Sequence, residues 1–200
     1  MSDVYLGRLP ILDTKQNVVA YELLFRADHH NKAIVANNSA ASANVIIETY
    51  GQLGIDNVIG KRRGFIKVDA QLLIHDSILL LPKKHVVFEI LRGVEITEAI
   101  TQRCAFLKQK GYQLALSYTA QSSTHYDHIL SLVNIVKINV NELTSAHLIA
   151  VMKQLRRFPI LLLAEKVETQ ETAKHCISLN FQMLQGFFFT QPEVMSGKNI

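Results

Sequence analysis

Six short, mostly apolar runs each end in a polar side chain. Residues 65–69 (FIKVD) end in Asp69, 86–89 (VVFE) in Glu89, 114–117 (LALS) in Ser117, 135–139 (IVKIN) in Asn139, 160–165 (ILLLAE) in Glu165 and 183–185 (MLQ) in Gln185. Lys137 lies inside the fourth run, Glu168 three residues beyond the fifth, and Glu22 is lodged among apolar neighbours in 18–26 (VVAYELLFR), where a carboxylate needs a reason. Runs this short read as buried strands, not core helices. A polar group at the C-terminal end of strand after strand is what a parallel barrel carries when its interior is packed and its mouth holds the site. Carboxylates, amides and hydroxyls gathered on one rim are groups that serve cations and polar ligands. Rival chemistries lack their residues: the eight histidines are scattered without an HExxH pair, and no Walker loop, CxxC pair or nucleophile elbow is present.

The elements that must position this rim alternate along the chain. Residues 4–6 and 10–12 open it as short apolar pieces, 13–17 form a polar turn, and 18–26 follow as a strand. Residues 28–39 read as a loop. Ala43, Ile46, Ile47, Tyr50 and Leu53 then recur at helical spacing and are closed by Gly54. Further helices are expected from Ala70 to about Leu81, stopped by Pro82, and over 96–110, with lysines in the last turn and Gly111 just beyond. A helical or irregular segment is expected over 123–132, and helices over 142–157 and 170–179. Between them lie the six runs, about 20–28 residues apart from Asp69 onward, the period of one βα unit.

With 200 residues, 48% of them hydrophobic, the chain is one domain near the lower size limit of a closed α/β barrel. It has no N-terminal apolar leader and no run long enough to span a bilayer, so a cytoplasmic location is the default. Cys104 and Cys176 fall on apolar helical stripes and read as buried free thiols. The formal charge of +4 is spread thinly, and its dense run, Lys61-Arg62-Arg63, reads as a solvated loop. Phe187–Phe189 read as closing the barrel core.

The set YELLFR (21–26), VVFEI (86–90), VKIN (136–139), AEKVET (164–169) and QGFFF (185–189) resembles the EAL domain, the bacterial cyclic di-GMP phosphodiesterase module. The likeness runs over essentially the whole chain, in the family's order and spacing. The opening and ending look most like divergent members in which an EAL domain precedes an HDOD domain. The resemblance implies a TIM-like (β/α) barrel whose first strand is antiparallel, and a chemistry of two-metal phosphodiester hydrolysis with Mg²⁺ or Mn²⁺. By resemblance, Glu22, Asp69 and Glu89 match metal-ligand positions, and Lys137 and Glu165 match catalytic ones. Arg26, Gln185 and Glu168 match nucleotide-contacting positions. Where the family has adjacent aspartates, this chain has Ser117 and Tyr118. Arg92 replaces a glutamate, Asn139 an aspartate and Lys166 a glycine.

Losing two anionic ligands while gaining cations nearby implies poor binding of divalent cations. Three readings of the surviving residues follow: an ion-pair network plugging the mouth, a single-metal or nucleotide-binding remnant, and true catalysis. The expectation is a degenerate EAL-type module of a bacterial signalling pathway that acts through protein partners. No cofactor is expected, with Mg²⁺ or Mn²⁺ needed if activity remains. Cyclic di-GMP binding and a homodimer are left open, while nucleic acid and membrane are not expected as partners. Because residues 191–200 cannot make a covering helix, the last strand is expected to be partly uncovered and a second, HDOD-type domain to follow Ile200, the alternative being a complete 200-residue protein whose tail packs in some other way.

Overall fold

Asp13 starts the architecture by folding the chain back on itself. Its carboxylate accepts the backbone N–H groups of Lys15 and Asn17, each at 2.8 Å, while Gln16 takes a left-handed backbone conformation at φ 66°. The result is a hairpin of two nine-residue antiparallel strands, β1 (Tyr5–Asp13) and β2 (Val18–Arg26). The two apolar pieces expected at the start are thus one strand. Pro10 keeps its place opposite Tyr21 of β2, and on the other side of β1 it lies between the residues that pair with β9 and those that pair with β8.

The computed structural model describes residues 5–26, 46–47, 51, 54–118 and 127–196. Six further strands follow β2 in parallel: β3 (Arg63–Val68), β4 (Val86–Ile90), β5 (Gln113–Tyr118), β6 (Ile135–Asn139), β7 (Leu161–Glu165) and β8 (Met183–Leu184). β1 pairs antiparallel with both β2 and β8 and closes the barrel. Each strand pairs with its sequence neighbour, as a right-handed βα succession requires. The outer helices begin at threonine caps: Thr97 before Glu98–Gln109, Thr144 before Ser145–Leu155 and Thr169 before Gln170–Ser178. Gly111, at φ 90°, turns the chain out of the first of these into β5.

Three expectations needed adjustment. The helix expected over 70–81 is a helix at Ala70–Ile74 and a 3-10 turn at Asp76–Leu80, broken at extended His75. Arg103 donates to the carbonyls of Leu73 (2.9 Å) and His75 (3.2 Å), which satisfies groups the break leaves open. The helix expected over 142–157 starts only at Ser145, after a 3-10 turn at Val140–Glu142. In the segment expected as helical or irregular over 123–132, Asp127–Leu130 is helical, in keeping with that reading, and 123–126 lie outside the described residues. The tail does not leave the last strand bare: Met183 and Leu184 are buried, and β9 (Glu193–Ser196) pairs antiparallel with β1. Ile46, Ile47 and Gly51 are helical, whereas the rest of 43–53, the loop at 28–39 and residues 119–122 lie outside the described residues.

Two apolar layers hold the barrel. Alternate residues on the outer strand faces, such as Ile66, Phe88, Val136 and Leu162, pack under the helices with Cys104, Leu107, Leu155 and Cys176. Inside, one residue from each strand of the barrel (Ile11, Ala20, Phe65, Val87, Ala115, Ile135, Leu163 and Met183) forms a plug. Burial of each large member contributes about 1.5–3 kcal/mol. Both cysteines are free, and burial pushes their thiols up, to about 12 for Cys104 and about 11 for Cys176. No helix among the described residues is long and apolar enough to cross a membrane.

Candidate functional site at the barrel mouth

Side chains two residues apart on a strand share a face. Moving two residues from the apolar plug toward the C-terminal ends therefore gives the next inward-facing layer: Glu22 on β2, Lys67 on β3, Glu89 on β4, Ser117 on β5, Lys137 on β6 and Glu165 on β7. The change from an apolar plug to an ionic layer takes one step along every one of these strands.

Lys137 is the hub of that layer. Its ammonium is fully buried and donates to Glu22 Oε2 and Glu89 Oε2, both at 2.7 Å, with Glu165 Oε2 at 3.5 Å. Lys67 reaches the other oxygen of Glu22 at 2.7 Å, and the Ser117 hydroxyl donates to the other oxygen of Glu89 at 2.8 Å. Arg92 links Glu165 (3.0 Å) to Glu142, which also accepts from the Asn139 amide at 2.7 Å. Buried charges persist only when so paired. Burial alone would raise the Glu22 carboxyl, but Lys137 and Lys67 outweigh it and hold the group at about 2. Glu89 is raised, because burial there exceeds the pull of Lys137. Burial would lower the Lys137 ammonium, yet its three carboxylates push it well above the ordinary lysine value, so it stays charged.

The structure does not bring every expected residue to this point. Asp69 caps the helix Ala70–Ile74, accepting the Leu72 N–H at 2.7 Å, and faces a separate depression with Arg92 and Glu95. Tyr118 has the opposite parity to Ser117 and packs in the helix-side core. The side chain of Arg26 lies outside the described residues. Gln185 and Glu168 border a cavity of about 320 Å³ beside the ion layer, with Leu9, Lys67, Lys166 and Phe187. The Gln185 amide nitrogen is buried there without a hydrogen-bond partner among the described residues. Lys67 and Glu142 escaped the sequence reading. Parity with Phe65 in FIKVD could have placed Lys67, whereas Glu142 joins the site through Arg92, 50 residues away, and through Asn139.

A family profile for the EAL domain matches residues 9–192. The chain belongs to the EAL domain family. It is 30% identical over 201 residues to the uncharacterized protein YuxH of Bacillus subtilis, covering 98% of this chain and 49% of that protein. It is 30% identical over 207 residues to the cyclic di-GMP phosphodiesterase CdgJ of Vibrio cholerae, covering 100% and 47%. Among solved structures, BlrP1 of Klebsiella pneumoniae in a manganese and cyclic di-GMP complex superposes with a TM-score of 0.79 at 19% identity, over 96% of this chain and 56% of that one. The chain spans about half the length of the curated relatives it matches.

The EAL barrel keeps its β7 and β8 ends locked together. The Gln185 carbonyl accepts the Val167 N–H at 3.0 Å, and the Val167 carbonyl accepts the Phe188 N–H at 3.1 Å. Gly186 permits this approach, since a Cβ there would lie 2.0 Å from the Val167 carbonyl oxygen. Lys166, one residue earlier, holds a left-handed conformation at φ 60°. Phe189 packs against the core as expected, whereas Phe187 and Phe188 are exposed, Phe187 at the cavity edge.

Proposed function

We propose that this EAL barrel is a bacterial signalling module whose mouth is neutralised by lysine instead of divalent metal, and that it does not hydrolyse cyclic di-GMP. The observation that carries the reading is the Lys137 ammonium held among Glu22, Glu89 and Glu165. Carboxylate oxygens of those three residues lie within 4.8 Å of one another, a spacing suited to one hard cation. The same oxygens are already satisfied by an ammonium, and a second ion would need a bridging carboxylate. Ser117 supplies a hydroxyl bonded to Glu89, Tyr118 faces the helices and Asp69 caps one. These donors do not fit the metal pair that phosphodiester hydrolysis by this family implies.

Output then rests on binding. Contacts with protein partners are the reading favoured here; an HDOD-type domain beyond Ile200 is proposed on the resemblance of the opening and ending, and the chain spans about half the length of both curated relatives. A second reading, a cyclic di-GMP receptor, has its own observation: the unpartnered Gln185 amide in a cavity edged by Lys67, Lys166 and Phe187. The test is incubation with cyclic di-GMP and millimolar Mg²⁺ or Mn²⁺, with chromatography of the products and calorimetry of binding. Intact ligand is expected with either ion. Metal-dependent linear dinucleotide, abolished by Glu22→Ala, overturns the proposal, and metal-independent binding favours the receptor reading.

A further inference from the structure

The positive charge that looks thinly spread in the sequence is gathered by the fold. In a parallel barrel, every loop that enters a strand lies at the end opposite the mouth. Here the entries to β3, β4, β5 and β7 carry Lys61-Arg62, Lys83-Lys84, Lys110 and Arg156-Arg157, all seven exposed, and no carboxylate within the loops themselves, although Asp56 of the preceding helix approaches His85 of the β4 entry at 4.0 Å. The entries adjoin one another. Gly64 N–H donates to the His85 carbonyl at 2.7 Å, Lys83 Nζ to the Lys110 carbonyl at 3.1 Å, and Lys108 Nζ crosses to the Ser131 carbonyl of the uncharged β6 entry at 2.8 Å. None of these cations is spent on an ion pair among the described residues; Arg62, like Lys83, donates to a carbonyl, that of Val18 at 2.7 Å. At the mouth end the signs are mixed, with Asp69, Glu95, Glu142, Glu165 and Glu168 in or beside its loops alongside Arg92 and Lys166.

Aliphatic side chains are interleaved with this basic arc. Val19 is exposed beside Arg62, Leu80 ahead of Lys83-Lys84, and Leu161 after Arg157; Leu80 is 74% exposed and Leu161 49%. Basic groups alternating with exposed aliphatics form a surface that an anionic partner with apolar contacts would complement.

We propose that this end of the barrel docks an acidic, aliphatic-bearing protein segment, laid along the arc from the β3 entry to the β7 entry. Among the described residues, the exposed aromatics that a single-stranded nucleic acid would stack on, Phe187 and Phe188, lie at the opposite end. A membrane would meet the whole end at once, whereas the arc is bounded by the polar turn at Asp13 and the uncharged entry to β8. The proposal stands on charge and exposure at the end remote from the site, and holds whether or not the mouth binds cyclic di-GMP.

The experiment uses a fluorescein-labelled 16-residue peptide of repeating Glu-Glu-Leu-Glu, followed by anisotropy at 50, 150 and 300 mM NaCl. The parent is expected to bind, more weakly as salt rises. A Lys84→Glu/Arg157→Glu variant is expected to lose at least tenfold in affinity while melting like the parent, and Leu161→Ser severalfold. Lys166→Glu, at the mouth, should leave binding unchanged. Absent binding, equal binding by the charge-reversed variant, or equal affinity for a Glu-Glu-Ser-Glu peptide overturns the proposal. Tighter binding to phosphatidylserine vesicles or to a 20-nucleotide RNA overturns it in favour of those partners.

Discussion

The barrel interior holds two neighbouring layers made by the same strands, two residues apart, with opposite chemistry. The lower is an apolar plug around Phe65, Val87 and Leu163; the upper is the ion layer around Lys137, Glu22 and Glu89. The plug is stable because it is dry and closely packed, and it tolerates small changes locally. The ion layer is stable only as a set, since each charge justifies the burial of the others. The same geometry therefore yields a structural element below and a potential site above. What separates them is whether any one residue can be removed without leaving an uncompensated charge.

Lys137→Ala should give the largest effect. Removing one partner of a buried charge set costs about 3–5 kcal/mol, which for a chain this size lowers Tm by roughly 10 °C. The variant also leaves Glu22, Glu89 and Glu165 facing one another, and should regain part of that loss in millimolar Mn²⁺ while the parent does not respond. Calorimetric melts with and without Mn²⁺ measure both. A parent that is stabilised by Mn²⁺ as strongly as the variant would break the contrast between an ammonium-filled and a metal-filled mouth.

Leu163→Ala, one step below, should cost about 3 kcal/mol through lost burial and the cavity left behind. It should show no Mn²⁺ response and a cost independent of pH between 3 and 8, measured by urea unfolding. The two variants together separate packing from charge within a few ångströms.

The extent to which these layers were legible in the sequence follows from their physics. Strand positions were readable because short apolar runs ending in polar groups have one good interpretation, and the EAL motifs fixed their order. Glu22, Glu89, Lys137 and Glu165 were readable because charges inside apolar runs must point somewhere. Lys67 was missed because an exposed-looking lysine at a strand end carries no such demand, and only parity with Phe65 betrays it. The break at His75 was hidden because the apolar pattern runs through it, and Arg103, which satisfies the opened carbonyls, is 28 residues away. The basic arc was invisible because its members come from four separated loops.

The acid limb of stability gives a smaller effect. Glu22 titrates at 4.5 when unfolded and at about 2 when folded, so between those values the unfolded chain binds more protons and stability falls as pH falls. At 1.36 kcal/mol per pH unit of displacement, the loss from pH 4.5 to 2 is at most about 3 kcal/mol. Glu89, raised by burial, works the other way, since the folded state takes up its proton first as pH drops. The parent should therefore hold or gain slightly as pH falls toward 4.5 and lose stability below it. Glu22→Gln should flatten the lower limb in urea melts, and an unchanged limb would remove Glu22 from the network.

Lys166→Gly should give the smallest effect, and its sign is the informative part. Lys166 occupies φ 60°, where a residue with a Cβ is strained by roughly 1–2 kcal/mol. Glycine removes that strain but frees the unfolded chain, at about 0.5–1 kcal/mol. The exposed lysine charge, which favours ionised Glu142, is worth little more than a few tenths in solvent. The strain term wins narrowly, so the variant should be more stable by about 0.5 kcal/mol, a Tm rise of one or two degrees. If the lysine is kept for its charge at the cavity edge, the same variant should bind a mouth ligand less well despite melting higher. Titration with cyclic di-GMP alongside the melt reads both quantities. A variant that melts lower than the parent would mean that Lys166 makes a stabilising contact that outweighs its backbone strain, placing it with the ion layer instead of the cavity wall.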